Sequence, residues 1–290
     1  MICANGLEAR KTNLHFYSDP IKLSTTTWDI GLDVVRHYKH MGTMIAADGS
    51  WGPEVQNRVR AHKQALDPTT RTVFKHDVLE PEKGAKFVDV LSNSRLLYQA
   101  DLWNGMTQAN ISKLKAAHTR GYRAAAGAHF RDKEVQHITD EQIFMETKRA
   151  GLTATVSARR LRYVNSLVCE APVSLLYLME YGYQKGDAWH TELHHDLEWL
   201  TEFSSRTDLP ACDDLKWTAF CRADRRRLPK IIMYAWEAYK RRWFEECEEK
   251  VWKKSLQAAT EKETKQEVKD LIRLAQRMTV ISWCTYPVVY

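Results

Sequence analysis

Three groups of residues in this 290-residue chain have types and spacing that chemistry would need. The first is His190, Glu192, His194, His195 and Asp196. His190 and His194 stand four apart and share one face of a helix, as zinc-binding histidines do. Thr191, however, follows His190 where a metalloprotease needs its general-base glutamate. A solvated polar helix face is the expected role. The second is Asp213-Asp214, adjacent carboxylates of the kind that hold a divalent cation. They follow Cys212 and open a charged segment, where they are expected to complement a helix dipole. No metal is expected at either. The third is a basic run in which Lys216, Arg222, Arg225, Arg226, Arg227 and Lys230 face a single acid, Asp224. Guanidinium groups grip phosphate oxygens in a bidentate fork, so contact with nucleic acid is one reading of the run. Nuclear import and solubility are the others.

Composition narrows the field. The formal net charge is +6 and the isoelectric point about 8.9, which permits a polyanionic partner without demanding one. Hydrophobic residues make up 44% and charged residues 28%, enough for one large domain or two smaller ones and too apolar for wholesale disorder. Cys3, Cys169, Cys212, Cys221, Cys247 and Cys284 form no CxxC pair, so reduced thiols in an intracellular protein are expected. Arg10, Lys11 and Asp19 interrupt any signal core, and no membrane partner is expected. Neither a GxSxG nucleophile turn nor a GxxxxGK[ST] phosphate loop occurs.

The elements that must position these residues are mainly helical, as the low counts of glycine (12) and proline (8) suggest. Strand character is confined to the first fifty residues. Asn13 to Tyr17 alternates, and Asp33 to Ala46 reads as strand with Gly42 in its middle and the turn Asp48-Gly49 at its end. From Pro53, Val55, Val59, His62 and Leu66 recur at helical spacing. A helix over Lys86 to Trp103 would put Val90, Ser94, Leu97 and Asp101 on one side. Ile111, Leu114, Ala117 and Gly121 mark another, ending near Gly127. Asp140 is expected to cap a helix running to Arg149. Further helices are expected over Val156 to Cys169, Val173 to Tyr181, Trp189 to Phe203, Asp213 to Arg227 and Lys230 to Gln276, with Pro229 opening or kinking the last. Ile232, Trp236, Tyr239 and Trp243 form an aromatic stripe on it, read as packing or as a surface for a protein partner.

Several of these stretches resemble one family in the family's own order. Gly6-Leu7-Glu8-Ala9-Arg10-Lys11-Thr12 followed by Leu14-His15-Phe16 resembles a late palm motif of reverse transcriptases. Tyr38-Lys39-His40-Met41-Gly42-Thr43-Met44-Ile45 is similar to the Phe/Tyr-Lys-Tyr-Leu-Gly primer-grip hairpin of LINE-type (non-LTR retrotransposon) enzymes, with His40 for the aromatic residue and Met41 for leucine. Glu54 to Ala61 resembles the first thumb helix, and Leu96 to Trp103, Leu114 to Gly127 and Arg159 to Val164 resemble the segments downstream of it. The resemblance spans residues 6 to 168; residues after about 170 match no motif of the family.

The resemblance implies a palm remnant with a primer-grip hairpin over 1–50 and thumb-like helices over 51–130, followed by a downstream helical region over 131–205; a basic, aromatic extension over 206–290 lies outside the resemblance. Expected is a mainly α protein with a small N-terminal antiparallel β hairpin, a multi-helix thumb-like bundle and long C-terminal helices. Nucleotidyl transfer on such a fold needs carboxylates converging on paired Mg²⁺ ions, and in the family these precede the region matched here. The chain on its own is therefore expected not to be an enzyme, and to need no cofactor; Mg²⁺ would enter only with a catalytic half. Asp213-Asp214 lies after the thumb-like region and lacks the aromatic residue of the family's catalytic tetrad. By resemblance, Tyr38, Lys39 and Gly42 would position a primer end, and Arg58, Arg60 and Lys63 would meet phosphates. With Arg222, Arg225, Arg226, Arg227 and Lys230 these are the candidate contacts to an RNA/DNA duplex or hybrid, bound weakly and without sequence specificity. The alternatives are a helical interaction module, or one piece of a full RNA-directed DNA polymerase whose catalytic half is encoded upstream.

Overall fold

A computed structural model describes residues 21–24, 29–32, 36–75, 79–131, 138–206, 208–211 and 216–260. Among these residues the protein is mainly α-helical, with strand only at the N-terminal end. The strand expected at Asn13 to Tyr17, the pair Asp213-Asp214 and the helix beyond Thr260 lie outside the described residues.

Strands β1 (Ile21–Ser24) and β2 (Asp29–Leu32) form one antiparallel pair, which the sequence did not disclose. The second pair, β3 (His37–His40) and β4 (Thr43–Ala46), is the hairpin expected around Gly42. Met41 and Gly42 both have positive φ, 46° and 88°. Such a two-residue turn matches the natural twist of its strands, and glycine takes that conformation at no steric cost. Tyr38 pairs with Ile45 and His40 with Thr43 on the outer face, while β4 packs against the next helix and buries Ala46.

Helix α1 (Gly52–Thr72) starts with a proline in its first turn and buries Glu54, Val55, Arg58, His62 and Leu66. Helix α2 (Pro81–Val88) passes through a π-helical turn, Asp89–Asn93, into the short α3 (Ser94–Leu96). The inserted residue rotates everything after it by about 100°. The face expected from regular spacing is therefore divided: Val90 is 70% exposed and Ser94 is exposed, while Leu97 is buried with Ser92, Asn93 and Leu96. A polar network holds this turn. The Tyr122 hydroxyl donates to Asp89 Oδ1 at 2.6 Å, Asn93 donates to the Tyr122 oxygen at 3.0 Å, and Arg149 donates to Asp89 Oδ2 at 2.7 Å.

After a 3₁₀ turn at Ala100–Leu102, α4 (Gln108–Arg131) runs four residues past the expected end at Gly127. Helix α5 (Asp140–Thr147) is capped by Thr139 rather than Asp140. The Thr139 hydroxyl accepts from the Gln142 backbone N–H, and the Gln142 side chain accepts from the Thr139 N–H, a capping box. The helix stops at Lys148, in left-handed conformation, short of Arg149. Then come α6 (Leu152–Glu170), α7 (Val173–Gln184), α8 (Ala188–Ser204), α9 (Lys216–Ala223) and α10 (Arg227–Thr260). Pro229 stands in the first turn of α10, where its missing N–H costs nothing.

Three apolar clusters make the core of the described residues. Leu66, Phe74, Val88, Tyr122, Ile143 and Phe144 join α1, α2, α4 and α5. Val55, Leu96, Leu97, Trp103, Leu114 and Leu152 join α1, α3, α4 and α6. Leu161, Val168, Leu197, Leu200, Ile231 and Ile232 join α6, α8 and α10. The aromatic stripe of α10 is part of this packing rather than a free surface. Tyr239 meets Trp199 of α8 at 5.9 Å between ring centroids, and Trp243 meets Phe144 of α5 at 5.9 Å. Helix α10 packs on α5, α6 and α8. Among the described residues no helix is long and apolar enough to cross a membrane.

Candidate nucleic-acid interface

The hairpin tip is fastened to α1 through backbone groups. Glu54 is fully buried in the first turn of α1, and its carboxylate takes the Met44 backbone N–H at 2.6 Å and pairs with Arg58 Nε. The Arg58 guanidinium also donates to the carbonyl oxygen of Gly42, which accepts from Asn57 Nδ2 at 3.3 Å. From the end of α3, the Tyr98 hydroxyl donates to the Met41 carbonyl at 3.0 Å, and its ring lies 4.6 Å from the Arg58 guanidinium carbon. The Thr43 hydroxyl donates to Gln99. The exposed chain reversal is thereby held in one orientation, its polar backbone satisfied by side chains.

This arrangement changes the role of one expected contact. Arg58 is 6% exposed and spends its guanidinium on the hairpin, so it is not turned toward a phosphate. Arg60 and Lys63, by contrast, are exposed on the outer side of α1. Tyr38, Lys39 and His40 are exposed along β3, with the Tyr38 and His40 rings 6.1 Å apart on its outer face. Gly42 contributes its backbone conformation and its carbonyl. Glu54, Tyr98 and Gln99 were not singled out as functional from the sequence. The Glu54–Arg58 pair did carry a signal, a glutamate four residues before an arginine in the first turn of a helix.

The basic run folds into a second corner. Helix α9 ends at Ala223, the chain turns through Asp224 to Arg226, and α10 begins at Arg227, so the helix expected to continue to Arg227 is interrupted. Asp224 makes the turn by accepting the Arg226 backbone N–H at 2.9 Å. Acids partner much of the corner. Arg225 pairs with Glu170, Arg227 reaches Asp208 at 2.6 Å and lies 4.3 Å over the Phe220 ring, and Arg222 donates to the Val168 carbonyl at 3.0 Å. Arg206 also grips Asp208 through two bonds of 2.7 Å and, with Arg227, holds that carboxyl far below the usual range. Arg226 and Lys230 are exposed, and among the described residues no acid pairs with either side chain, so they carry the readiest charge of the corner.

No family model, curated protein or solved structure matches the chain. Its own geometry and the motifs between residues 6 and 168 are what a functional reading can stand on.

The remaining features offer less chemistry. A cavity of about 420 Å³ lies among α6, α7, α8 and α9, lined by Leu161, Val168, Tyr177, Leu193, Trp217 and Cys221 among others. Burial pushes the Cys221 thiol up to about 12, which leaves it protonated and without nucleophilic use at neutral pH. His118 is held down to about 4 by burial, with His62 beside it also lowered by burial, so both rings are neutral at pH 7. The two face the core next to Tyr122 and Gly121, away from solvent.

Proposed function

We propose that the chain is reverse-transcriptase-like, of retroelement origin, and that it holds an RNA/DNA duplex or hybrid without reading its sequence. One observation carries this reading. The hairpin resembling a primer grip is clamped by its backbone to the helix resembling the first thumb helix, and leaves Tyr38, Lys39 and His40 exposed on the strand and Arg60 and Lys63 exposed on the helix. Aromatic faces stack on bases of any identity and cations meet phosphates, so such a surface binds without specificity and with strong salt dependence. The test is fluorescence anisotropy of a labelled hybrid duplex across a salt series. Tyr38→Ala with Lys39→Ala should weaken binding, and absence of binding at low salt would sink the proposal. Primer extension with Mg²⁺ or Mn²⁺ separates a duplex-holding protein from a polymerase: these 290 residues alone are expected to incorporate no nucleotide.

A helical interaction module is the second reading, and the observation favouring it is α7 rather than the stripe of α10. Helix α7 has no buried residue, and Tyr177 and Leu178 are 67% and 66% exposed. Sedimentation showing self-association that Leu178→Ser abolishes, together with no affinity for nucleic acid, would favour it.

A further inference from the structure

We propose that the solvent-facing side of α8 holds one divalent transition-metal ion, bound by His194, His195 and Glu198. The inference stands apart from the nucleic-acid reading, because it uses none of those residues. His194 Nδ1 lies 3.4 Å from Glu198 Oε1, and His195 Nδ1 lies 3.2 Å from Glu198 Oε2. Two imidazoles thus converge on one carboxylate, and a donor atom from each of the three side chains lies within 4.8 Å of the others. Zinc ligands sit about 2.1 Å from the metal, which in a tetrahedron spaces them roughly 3.4 Å apart. Each imidazole nitrogen therefore already lies at about that separation from one oxygen of Glu198, His194 from Oε1 and His195 from Oε2. Side-chain rotation, for which the partly exposed rings have room, brings the two nitrogens to a common ion held by one or both of those oxygens.

The ligand set decides the class of ion. Two imidazole nitrogens with one carboxylate oxygen suit Zn²⁺, Co²⁺, Ni²⁺ or Cu²⁺, whereas Mg²⁺ and Ca²⁺ take mainly oxygen ligands. Three protein ligands leave a coordination position open to solvent, as in zinc sites that are not purely structural. The more familiar pair, His190 with His194, is not the site. His190 Nδ1 is engaged with Asp187 at 2.7 Å, and its ring packs edge-on against Trp189 and Tyr183. What sequence spacing suggested as an i,i+4 pair becomes an adjacent pair of histidines completed by a glutamate one turn on.

The experiment titrates Zn²⁺, and then Co²⁺, into full-length, tag-free protein stripped with a chelator. Calorimetry should show one ion per chain, and Co²⁺ should develop the visible bands of a low-coordinate site. His195→Ala and Glu198→Gln should each weaken binding on the order of tenfold or more, while His190→Ala leaves it unchanged. The three ligands are partly exposed, so circular dichroism should show these variants folded as the wild type is. Absence of saturable binding would overturn the proposal. So would binding that His190→Ala removes, or that survives both ligand variants.

Discussion

The guanidinium of Arg58 donates to the carbonyl oxygen of Gly42, 16 residues before it, while its Nε holds the buried carboxylate of Glu54. One side chain thereby joins the turn of a hairpin to the start of a helix. Arg58→Met would leave the Glu54 charge buried without its partner, a change that costs about 3–5 kcal/mol. The double variant Glu54→Gln, Arg58→Met should recover much of that loss. Urea denaturation of the two proteins measures the difference; equal stabilities would mean that the pair does not fasten the hairpin.

Gly121 and Gly127 both lie in α4 and should respond oppositely to alanine. A Cβ on Gly121 would come within 2.7 Å of Val88 Cγ1 and 3.2 Å of the His62 ring, whereas one on Gly127 meets nothing within 4 Å. Gly121→Ala is expected to destabilise by roughly 1–3 kcal/mol through overpacking. Gly127→Ala should stabilise by roughly 0.5–1 kcal/mol, since alanine has less backbone freedom to lose in a helix. Thermal melts of the two variants check the signs.

His118 makes stability depend on pH in a predictable direction. Burial lowers its pKa in the fold from 6.5 to about 4, so the folded protein resists the proton that the unfolded chain accepts. The stabilising contribution is complete above pH 6.5, declines as pH falls toward 4, and changes no further below that; it amounts to roughly 3 kcal/mol. Denaturant midpoints of the wild type should fall through this window. In His118→Gln the fall should be shallower, and parallel curves would show that another group dominates.

Within the basic corner, ion pairing should divide residues that look equivalent in sequence. Arg226→Ala and Lys230→Ala should each shallow the log-log salt dependence of duplex binding by roughly 0.7–0.9. Arg225→Ala and Arg227→Ala should change it less, because Glu170 and Asp208 already partner those side chains. Equal effects from all four would mean that the acids are displaced on binding.

What the sequence disclosed was whatever local chemistry decides. Pro53 marked the start of α1, because proline acts on its own backbone, whereas the hairpin turn at Met41 and Gly42 was expected from the family resemblance and not from the glycine, which stood in the middle of a strand-like stretch. Long apolar spacing found α6, α7, α8 and α10. The π turn at Asp89–Asn93 was hidden because tertiary partners hold it: Tyr122 and Arg149 reach Asp89 from 33 and 60 residues away. A regular 3.6-residue period then grouped Leu97, which is buried, with the exposed Val90 and Ser94. Thr139 lost the cap to Asp140 in the sequence reading because both are good caps, and the reciprocal bond with Gln142 decided between them. Arg58 was read as a phosphate contact because the resemblance to a thumb helix implied it. Its burial arises from a glutamate and a carbonyl that only the folded hairpin brings near.

Helix α10 is 34 residues long, a rod of about 51 Å. Its first turns pack Leu228, Ile231 and Ile232 into one apolar cluster, and Trp243 leans on another more than two turns further along. A single helix cannot be half released without breaking its own ladder of backbone bonds, so loss of either cluster loosens the grip on the other. The two clusters are therefore thermodynamically coupled, and heating should produce one cooperative transition of the elements that α10 joins rather than a succession of local ones.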